Sequence, residues 1–471
     1  MDLDALLLAR LQFAFTISVH IIFPAFSIGS SAYVATLLVL WHRTGQEHFH
    51  RLARFWTKIF AVSFAMGVVS GIPMSYEFGT NWSRFSQVVG NVIGPLIAYE
   101  VLAAFFLEAT FLGVMLFGWK RVPPWLHVTA AVLVAVGTMM SGFWILSANS
   151  WMQTPAGHVM RDGIAYPVSW LHIIFNPSFP YRFAHMMTAA YLTTSVVVLA
   201  VGARYMLVGA YPVEARTMMR MGLGMVAILA PLQLVFGDMH GLNTLHHQPA
   251  KVAAIEAHWE DRGPADLVLF AIPDQKGERN RAEIAVPKLG SVILTHSLNG
   301  RVPALKDFAP EDRPHVAIVF FAFRIMVAIG MLLILFGVLG ALLWWRKRLF
   351  ETRWYLRCVG FAWPLGFIAL LAGWVTTEAG RQPYIAYGIL RTADAASPVS
   401  AATVAVSLAA FVVVYTVTFS IGIYYIRKLI KGGPKGAAVA TPGTLQEGMA
   451  NRPLGIAQEG TRETHSEGPV I

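Results

Sequence analysis

Cysteine is nearly absent from this chain of 471 residues: Cys358 is the single one, and a disulfide scaffold is excluded because it has no partner within the chain. Charged residues are also scarce, at 13% against about 25% in an ordinary globular protein. Hydrophobic residues make up 56% of the chain, and the mean hydropathy is +0.56. A soluble core does not need so much apolar surface. The composition therefore predicts an integral membrane protein built from many spanning helices.

An internal repeat is also missing, so the sequence gives no support to an inverted-repeat transporter. Apolar stretches of at least about 18 residues are typical of membrane-spanning helices. The chain has nine, at approximately residues 12–41, 59–78, 94–118, 127–149, 183–208, 222–238, 316–345, 358–378 and 401–426. The first is too long for a secretory signal and lacks a small-residue cleavage site. The predicted fold class is an all-α membrane protein with about nine transmembrane helices in a bundle.

The net charge of +10 could indicate a nucleic-acid partner, but the basic residues concentrate in short connections between the apolar stretches, which indicates membrane topology instead. Seventeen Lys and Arg follow the odd-numbered stretches. The N-terminus and the opposite short connections hold six: Arg10, Arg84, Arg161, Arg182, Arg381 and Arg391. The rich side is cytoplasmic, so we expect a multi-pass protein of a bacterial inner membrane with its N-terminus outside and its C-terminus inside, and no nucleic-acid partner.

The chain divides into four predicted regions. Residues 1–238 hold transmembrane helices one to six, and residues 316–431 hold helices seven to nine. Residues 239–315 mix proline, acidic and basic residues and form the one long connection, which faces outward; a loop of this length usually has a function. Residues 432–471 are rich in Gly, Ala, Thr and Glu, a composition typical of a disordered tail, here on the cytoplasmic side.

Ionisable residues inside the apolar stretches are the first candidates for function, because a charge near the centre of a bilayer costs several kcal/mol. Five are found: Glu77, Glu100, Glu108, Arg324 and Glu378. In a regular helix, Glu100 and Glu108 lie two turns apart and about 80° around the axis, so both can point into one interior channel. The alternative interpretation is a buried polar pair bonded to neighbouring helices.

Histidine and methionine are a second kind of candidate. His20 and His185 lie in apolar surroundings, where a lone histidine is more often a satisfied core residue than a ligand. Met326 follows Arg324 by two residues and is one of 19 methionines, most of which serve packing. A His and a Met on neighbouring helices are nevertheless the pair that ligates a low-spin heme. His246 and His247 match no metal-ligand pattern, and we interpret them as plain loop residues.

Seven ordered blocks resemble subunit I of the bacterial cytochrome bd quinol oxidases. The blocks are LARLQFAF (8–15), FGTNWSRFS (78–86), GPLIAYEVLAAFFLEATF (94–111), ANSWMQ (148–153), AKVAAIEAHWE (250–260), FAFRIMVAIG (321–330) and EAGRQPY (378–384). The resemblance covers the chain from near the N-terminus through the ninth stretch. It implies a nine-helix subunit that holds three hemes in its outward half. It also implies a complex with a second membrane subunit, with a small single-span accessory subunit as an optional partner.

By this resemblance the protein is a terminal respiratory oxidase that oxidises quinol outside and reduces O2 to water, generating proton motive force without pumping. The low-spin heme b takes His185 and Met326 as axial ligands, with Arg324 near its propionates. The two high-spin hemes, one heme b and either heme d or a further heme b, draw on His20 and Glu378 in an order that stays open. The other heme-binding positions implied are Arg10, Trp374 and Arg381.

The resemblance also implies where substrate and protons meet the protein. Lys251 and Glu256 fall where the family binds quinol, and a Lys and a Glu on an outward loop suit the loss of two protons from quinol. Glu108 falls where the family brings protons inward from the cytoplasm, and Glu100 lies between or beside the high-spin hemes. The sequence does not distinguish ubiquinol from menaquinol.

Two departures from the family pattern affect the oxygen site. Only 66 residues separate Glu256 from Phe323, so the chain resembles the short-loop branch, which includes cyanide-insensitive oxidases. Some members of that branch hold heme b in place of heme d. The usual GRQPW is GRQPY here, with Tyr384 in place of tryptophan. A proton-coupled transporter and a non-catalytic membrane cytochrome b are the alternative functions, but the first needs no His/Met pair and the second needs no Glu378.

Overall fold

The computed structural model describes residues 4–261 and 263–434, and almost all of the predicted tail lies outside this part of the chain. Within it the protein is mostly helical. The α-helices are α1 (Ala5–His20), α2 (Ile22–Thr44), α3 (Glu47–Thr80), α4 (Ser83–Tyr99), α5 (Phe106–Phe117), α6 (Pro124–Gln153), α7 (Trp170–Ile174), α8 (Phe179–Val208), α9 (Pro212–His247), α10 (Pro249–Glu256), α11 (Leu289–Thr295), α12 (Val316–Trp345), α13 (Arg353–Phe361), α14 (Leu365–Arg381) and α15 (Ala401–Gly432).

Short irregular helices and three small antiparallel hairpins complete the described structure. A π-helical segment, Glu100–Phe105, joins α4 to α5, and 3-10 turns cover Gly118–Lys120, Leu305–Asp307, Pro310–Asp312 and Thr392–Asp394. The hairpins pair β1 (His158–Arg161) with β2 (Ile164–Pro167), β3 (Leu267–Asp274) with β4 (Arg279–Val286), and β5 (Tyr384–Ala386) with β6 (Leu390–Arg391).

Eight helical stretches of the described chain are long and apolar enough to cross a membrane, and the bent pair α13–α14 makes a ninth. The predicted all-α bundle of about nine spans is therefore confirmed. This additional span, the eighth in chain order, is bent by 41° between Phe361 and Leu365. Pro364 lies at this break, and proline interrupts a helix because it lacks an N–H donor and clashes with the preceding turn.

Several helices extend beyond their apolar stretches, which corrects the predicted ends. α3 begins at Glu47, so Arg51, Arg54 and Lys58 lie on a helix rather than in a loop. Long basic side chains allow this, because their apolar stems cover the helix while the charged ends reach water. α9 continues to His247, so the long outer connection begins about nine residues later than predicted, and His246 and His247 form the last turn of a helix.

α8 is the central helix of the bundle. Its most apolar stretch of 18 residues is 83% buried, whereas the corresponding stretches of the other seven unbent spans are 17–33% buried. Small residues let neighbouring helices approach it closely, as is usual in membranes. A Cβ on Gly29 of α2 would collide with Thr194 Oγ1, and one on Gly366 of α14 would lie 2.7 Å from Thr193 Oγ1. α2, α6, α9, α13 and α14 therefore surround α8, whereas the other spans are less buried.

The long connection between α9 and α12 is itself folded. α10 packs against α9, α12 and α14 and carries Lys251 and Glu256. The β3–β4 hairpin follows, and Val268 on β3 is joined to α12 by a hydrogen bond from Arg324 Nε to its carbonyl oxygen, 2.8 Å long. The predicted quinol loop is thus attached to the helix that carries Arg324 and Met326.

Candidate functional site

Charged side chains form a buried cluster where α6, α8 and α14 meet. Glu378, near the end of α14, pairs with Arg381 one turn on, with 2.5 Å between Oε2 and Nη2. Arg182 of α8 places its Nη2 3.9 Å from the other oxygen of Glu378. The side-chain amides of Asn149 and Gln153, both on α6, donate to the same carboxylate at 3.2 Å each. Together these contacts fix the orientation of Glu378.

Lys251 of α10 brings a third cation into the cluster. Its Nζ donates to Gln153 Oε1 and Gln248 Oε1, both at 3.0 Å. Its stem packs on Gly380, where a Cβ would lie 2.8 Å from Lys251 Cγ. Burial lowers the pKa of Lys251 well below its ordinary value, and the positive charge of Arg182 acts in the same direction. Lys251 therefore points into the protein rather than into open solvent.

The cluster carries more positive than negative charge. Three cationic side chains, Arg182, Lys251 and Arg381, face one carboxylate, Glu378, and each of the three cationic residues is less than 9% exposed. Two nitrogens of Arg381, Nε and Nη1, are buried without a hydrogen-bond partner. A buried donor left unpaired costs about 1–3 kcal/mol, and more when it is charged. Such a site is stabilised by bound anionic groups, and the carboxylates of heme propionates have the required charge and hydrogen-bond acceptors.

Glu256 lies on the opposite side of α10 from Lys251. The two residues are five positions apart, which is about 140° around a helix. Glu256 is 8% exposed and accepts a hydrogen bond of 2.7 Å from Arg324 Nη2. The guanidinium of Arg324 also lies 4.7 Å from the ring centroid of Phe320. The two predicted quinol residues therefore contact different neighbours, and one helix, α10, separates their functional groups.

His185 faces α9 from the central helix α8. A Cβ on Gly237 would lie 3.2 Å from His185 Cε1, so the ring packs tightly on this glycine and a larger residue would press against it. The ring of His240 packs edge-on against it, with 5.5 Å between centroids. Nδ1 of His185 is buried and has no hydrogen-bond partner. An imidazole held in this way keeps a nitrogen available for a metal.

Met326 of α12 is accommodated in the same manner by α14. A Cβ on Gly373 would lie 2.8 Å from Met326 Sδ, which is closer than packing allows. The described contacts of His185 are with α9 and those of Met326 are with α14, so the structure does not join the two side chains directly. Their helices, α8 and α12, both pack against α9 and α14.

His20, the other predicted histidine ligand, is oriented by α3. Its Nδ1 lies 2.9 Å from Ser70 Oγ, and a Cβ on Gly71 would lie 3.1 Å from its Cε1. Tyr415 of α15 donates to the carbonyl oxygen of Ser70 at 2.9 Å. A hydrogen bond on one ring nitrogen is the usual device that fixes the orientation of a metal-binding histidine.

Glu77 lies two turns further along α3 and is 1% exposed. Gln12 and Thr16 of α1 are its polar neighbours. These side chains extend the polar strip that begins at His20 and Ser70, within otherwise apolar helices.

Glu100 and Glu108 both face α6. Ser141 donates to Glu100 at 2.6 Å, and a Cβ on Gly137, one turn earlier, would lie 2.8 Å from Glu108 Cγ. Glu108 is 5% exposed, and its Oε1 has no hydrogen-bond partner. The angle of 80° expected for a regular helix does not apply, because the π-helical segment that begins at Glu100 has a wider turn. The two carboxylates nevertheless share one neighbouring helix, α6.

Comparison with known proteins shows what this arrangement is similar to. Residues 8–434 match the family described as cytochrome bd terminal oxidase subunit I. The chain belongs to this family. Cytochrome bd-II ubiquinol oxidase subunit 1 of Escherichia coli (strain K12) is 33% identical, over 94% of this chain and 100% of the relative. Cytochrome bd ubiquinol oxidase subunit 1 of Bacillus subtilis (strain 168) is 36% identical, over 91% and 94% of the two chains.

A solved structure of the bd oxidase from Geobacillus thermodenitrificans has the same fold, with a TM-score of 0.85 and 28% identity over 91% of this chain and 99% of that one. The resemblance seen in the seven sequence blocks is thus confirmed along nearly the whole chain. The match also confirms the predicted membrane bundle. The assignment of single residues to hemes, quinol and protons remains a prediction for this member of the cytochrome bd family.

Two other residues implied by the cytochrome bd resemblance have few described contacts. Arg10 is exposed near the start of α1. Trp374 of α14 is half-buried, with its ring 6.4 Å from that of Phe13. No group of three or more His, Cys, Asp or Glu side chains in the described chain could hold a metal ion, but a heme iron needs only one or two protein ligands.

Sequence reasoning missed three residues of the buried cluster. Arg182 was counted among the basic residues of outer connections, which is wrong, because it lies in the first turns of α8 and is 7% exposed. Asn149 and Gln153 lie within the ANSWMQ block, yet they had no assigned role. The available signal was the position of polar amides at the end of an apolar stretch, where a buried partner is expected.

Proposed function

We propose that this subunit oxidises quinol on the outer side of the membrane and reduces O2 to water, as part of a terminal respiratory oxidase. Membership of the cytochrome bd subunit I family supports this function, and the E. coli and B. subtilis relatives are named ubiquinol oxidases. The structural observation that carries it is the buried surplus of positive charge beside Glu378. Neither a transporter nor a non-catalytic cytochrome explains that cluster together with the family match.

The residues present fit heme as the cofactor. The unpartnered nitrogens of Arg381 and the nearby cations Arg182 and Lys251 suit propionate groups. His20, His185 and Met326 each lie against a glycine of a neighbouring helix, so the backbone leaves space around each predicted ligand. We propose three hemes: a low-spin heme b, a high-spin heme b, and heme d or a further heme b. When bound, the hemes supply electron transfer and the iron at which O2 is reduced.

For the low-spin heme b we propose His185 and Met326 as axial ligands. Neutral imidazole and a thioether together favour the reduced iron and so raise the potential, which suits a group that accepts electrons from quinol. Arg324 precedes Met326 by two residues, and its Nη2 donates a hydrogen bond of 2.7 Å to Glu256. This pair connects the predicted quinol region to the helix of the low-spin ligand.

For the high-spin hemes we propose His20 and Glu378 as iron ligands, in either order. Ser70 orients the ring of His20, and Asn149 and Gln153 orient the carboxylate of Glu378. Arg10 and Trp374 are proposed as further heme contacts, although their described neighbours do not yet include the charged cluster. The resemblance implies that the hemes bound by His20 and Glu378 lie in the outward half of the membrane.

Glu256 and Lys251 divide the work at the quinol. Quinol oxidation releases two protons with two electrons, and a carboxylate is a suitable proton acceptor. Glu256 is positioned for this, because Arg324 Nη2 holds its carboxylate at 2.7 Å. Lys251, on the other side of α10, points toward Gln153 and Glu378 and therefore lies between the quinol region and the buried cluster.

Glu108 and Glu100 are proposed to carry protons from the cytoplasmic side toward the site of O2 reduction. Both lie against α6, where Ser141 donates a hydrogen bond to Glu100 at 2.6 Å. A carboxyl group can take up a proton from one side and give it to the other by rotating its side chain. Glu108, with one oxygen unbonded, is free to do so.

The proposed sidedness lets the reaction store energy without a pump. Protons are released outside and consumed from inside, and each charge moved across the membrane stores about 2.3 kcal/mol per 100 mV. The chain is an integral membrane subunit of a larger complex. We propose a second membrane subunit as its main partner, a small single-span subunit as an optional one, and the bacterial inner membrane as its location.

The test is a spectrum of the purified complex reduced with dithionite, before and after addition of carbon monoxide. We expect a low-spin heme b, a component that binds carbon monoxide, and O2 consumption that depends on quinol. The same spectrum decides between heme d and a further heme b, and a titration with cyanide tests the proposed insensitivity of this short-loop member. A preparation that folds but contains no heme would exclude an oxidase.

A further inference from the structure

An open cavity of about 300 Å³ lies at the outer ends of the helices. Its polar lining residues are Gln153 and Thr154 at the end of α6, His158 on β1, His247 at the end of α9, and Tyr387 between β5 and β6. Three different outward connections thus contribute to it. By the proposed topology, all of them lie on the side where protons from quinol are released.

A second cavity lies directly inside the first. It measures about 10 Å³, which is room for one water molecule. Its lining includes Lys251 and Arg182 of the buried cluster, and it shares Gln153, Thr154 and His247 with the larger cavity. The two cavities are therefore neighbours that share part of their walls.

The shared wall is polar and can hold water on either side. Gln153 accepts a hydrogen bond from Lys251 at 3.0 Å and donates to Glu378 at 3.2 Å. Thr154 exchanges a hydrogen bond of 2.7 Å with Ser178. Buried polar groups of this kind are the usual partners of ordered water.

His158 adds an unused polar group to the outer cavity. Its Nδ1 is buried and bonds to no other side chain; burial lowers the pKa of its ring, and the backbone of Ala156 acts in the opposite direction. The ring is fixed edge-on against Trp151, with 5.2 Å between centroids. A neutral imidazole with a free nitrogen can accept a hydrogen bond from water in the cavity.

We propose that these two cavities form the outlet through which protons leave the quinol side of the subunit. The inference rests on the proposed function. Each quinol that is oxidised gives one quinone, two electrons and two protons; the electrons leave to the hemes and the protons must reach the outer water. The outlet begins at Lys251, on the face of α10 opposite Glu256. Lys251 is 5% exposed and lines the small cavity, so a proton released on that face of α10 reaches bulk water through one water molecule and the larger cavity.

The size and lining of the inner cavity favour water over a quinol ring as its occupant, whereas the outer cavity, at about 300 Å³, has room for either. The inner cavity admits one water molecule only, and its lining is made of polar and charged side chains. Binding of a quinol ring in the outer cavity is the competing interpretation. It differs in its consequence, because a label that hinders quinol binding raises the apparent KM for quinol, whereas a label that blocks the outlet lowers the maximal rate at an unchanged KM.

The experiment uses the oxidase complex purified with Cys358→Ser, which removes the single native cysteine. Pro177→Cys places a thiol on the wall of the outer cavity, where Pro177 is exposed. Pro180→Cys is the matched control, because Pro180 is exposed three residues further along and does not line either cavity. Each variant is treated with a bulky maleimide, and every labelled sample is compared with its own unlabelled sample.

We expect labelling of Pro177→Cys to lower the maximal rate of quinol-dependent O2 consumption several-fold, to slow proton release measured with a pH-sensitive dye in proteoliposomes, and to leave the heme spectrum and the KM for quinol unchanged. Labelled Pro180→Cys should match its unlabelled sample. Complete labelling of Pro177→Cys with no more effect than in the control overturns the outlet, as does a raised KM at an unchanged maximal rate. Failure of the proposed function is distinct, because the unlabelled complexes would then lack heme and quinol-dependent O2 consumption.

Discussion

At the scale of single residues, Gly237 and Gly373 leave room for the predicted ligands His185 and Met326. Neither glycine stands out in the sequence, which contains 40 of them. A Cβ at either position would approach the neighbouring ligand side chain to 3.2 Å or less. The ligands themselves could be predicted from residue type and family resemblance, whereas the glycines that accommodate them appear only when the helices are packed.

Replacement of His185 by Ala should remove the low-spin heme signal and quinol oxidation together, because this heme is the expected entry point for electrons. Met326→Leu should have a milder effect, since volume is nearly kept while the thioether is lost, and the potential of the low-spin heme should fall. Reduced spectra and redox titrations of the two variants measure these outcomes. A full low-spin spectrum in His185→Ala would exclude it as a ligand.

Gly373→Ala should disturb the low-spin heme without touching a ligand. Its new methyl group would lie 2.8 Å from Met326 Sδ, and overpacking of this kind costs about 1–3 kcal/mol. We expect Met326 to be displaced and the low-spin potential to fall in the direction of Met326→Leu. Gly330→Ala is the control, because a Cβ at Gly330 of α12 meets nothing within 4 Å. Equal redox potentials in both variants would contradict the role of Gly373.

Glu108→Leu should slow O2 reduction while leaving the heme content nearly intact, because Leu suits the apolar surroundings but cannot transfer a proton. Glu100→Leu should alter the heme spectrum as well as the rate, since Glu100 is expected closer to the high-spin hemes. If the pair is only structural, both changes leave turnover unaltered or stabilise the subunit, because a buried charge is removed. Oxygen consumption and heme content measured on the same preparations separate the two cases.

At the scale of elements, composition and hydropathy were enough to predict nine spans, but not their irregularities. The bend at Pro364 and the π-helical segment at Glu100 change how side chains face one another, and neither changes the length of an apolar stretch. α9 continues to His247 although its last turns are polar, because hydropathy reports the depth of the membrane and not the end of a helix. The angle predicted between Glu100 and Glu108 assumed a regular α-helix and does not apply, because the π-helical segment lies between them.

Helix α10 carries the predicted quinol residues Lys251 and Glu256 on opposite sides, so each can be tested separately. Glu256→Gln keeps the shape of the side chain but loses the negative charge that pairs with Arg324 at 2.7 Å. We expect quinol-dependent turnover to fall, while oxidation of an artificial donor that enters downstream persists. Assays with both donors on one preparation provide the measurement. Equal loss with both would instead indicate misfolding or loss of heme.

At the scale of the whole molecule, the distribution of basic residues predicts the orientation, and the structure shows where those residues lie. Two of the six basic residues counted on the outer side, Arg182 and Arg381, are buried within the bundle and do not belong to a connection. On the opposite side, Arg51, Arg54 and Lys58 likewise lie on helix α3 rather than in a connection. Membrane insertion responds to Lys and Arg near the ends of the spans, so the excess on that side predicts a cytoplasmic C-terminus.

The native Cys358 provides a direct test of this orientation. It is exposed on α13, a short helix that also carries Arg353 and Arg357 and begins the eighth predicted span from the cytoplasmic side. A membrane-impermeant maleimide should therefore label Cys358 in inverted membrane vesicles and leave it unlabelled in intact spheroplasts. Pro180→Cys combined with Cys358→Ser should show the reverse pattern, because Pro180 lies on the opposite side by the same topology. Labelling of Cys358 from the outside would show that the orientation of the bundle is the reverse of the predicted one. The proposed release of protons on the outer side would then be wrong as well.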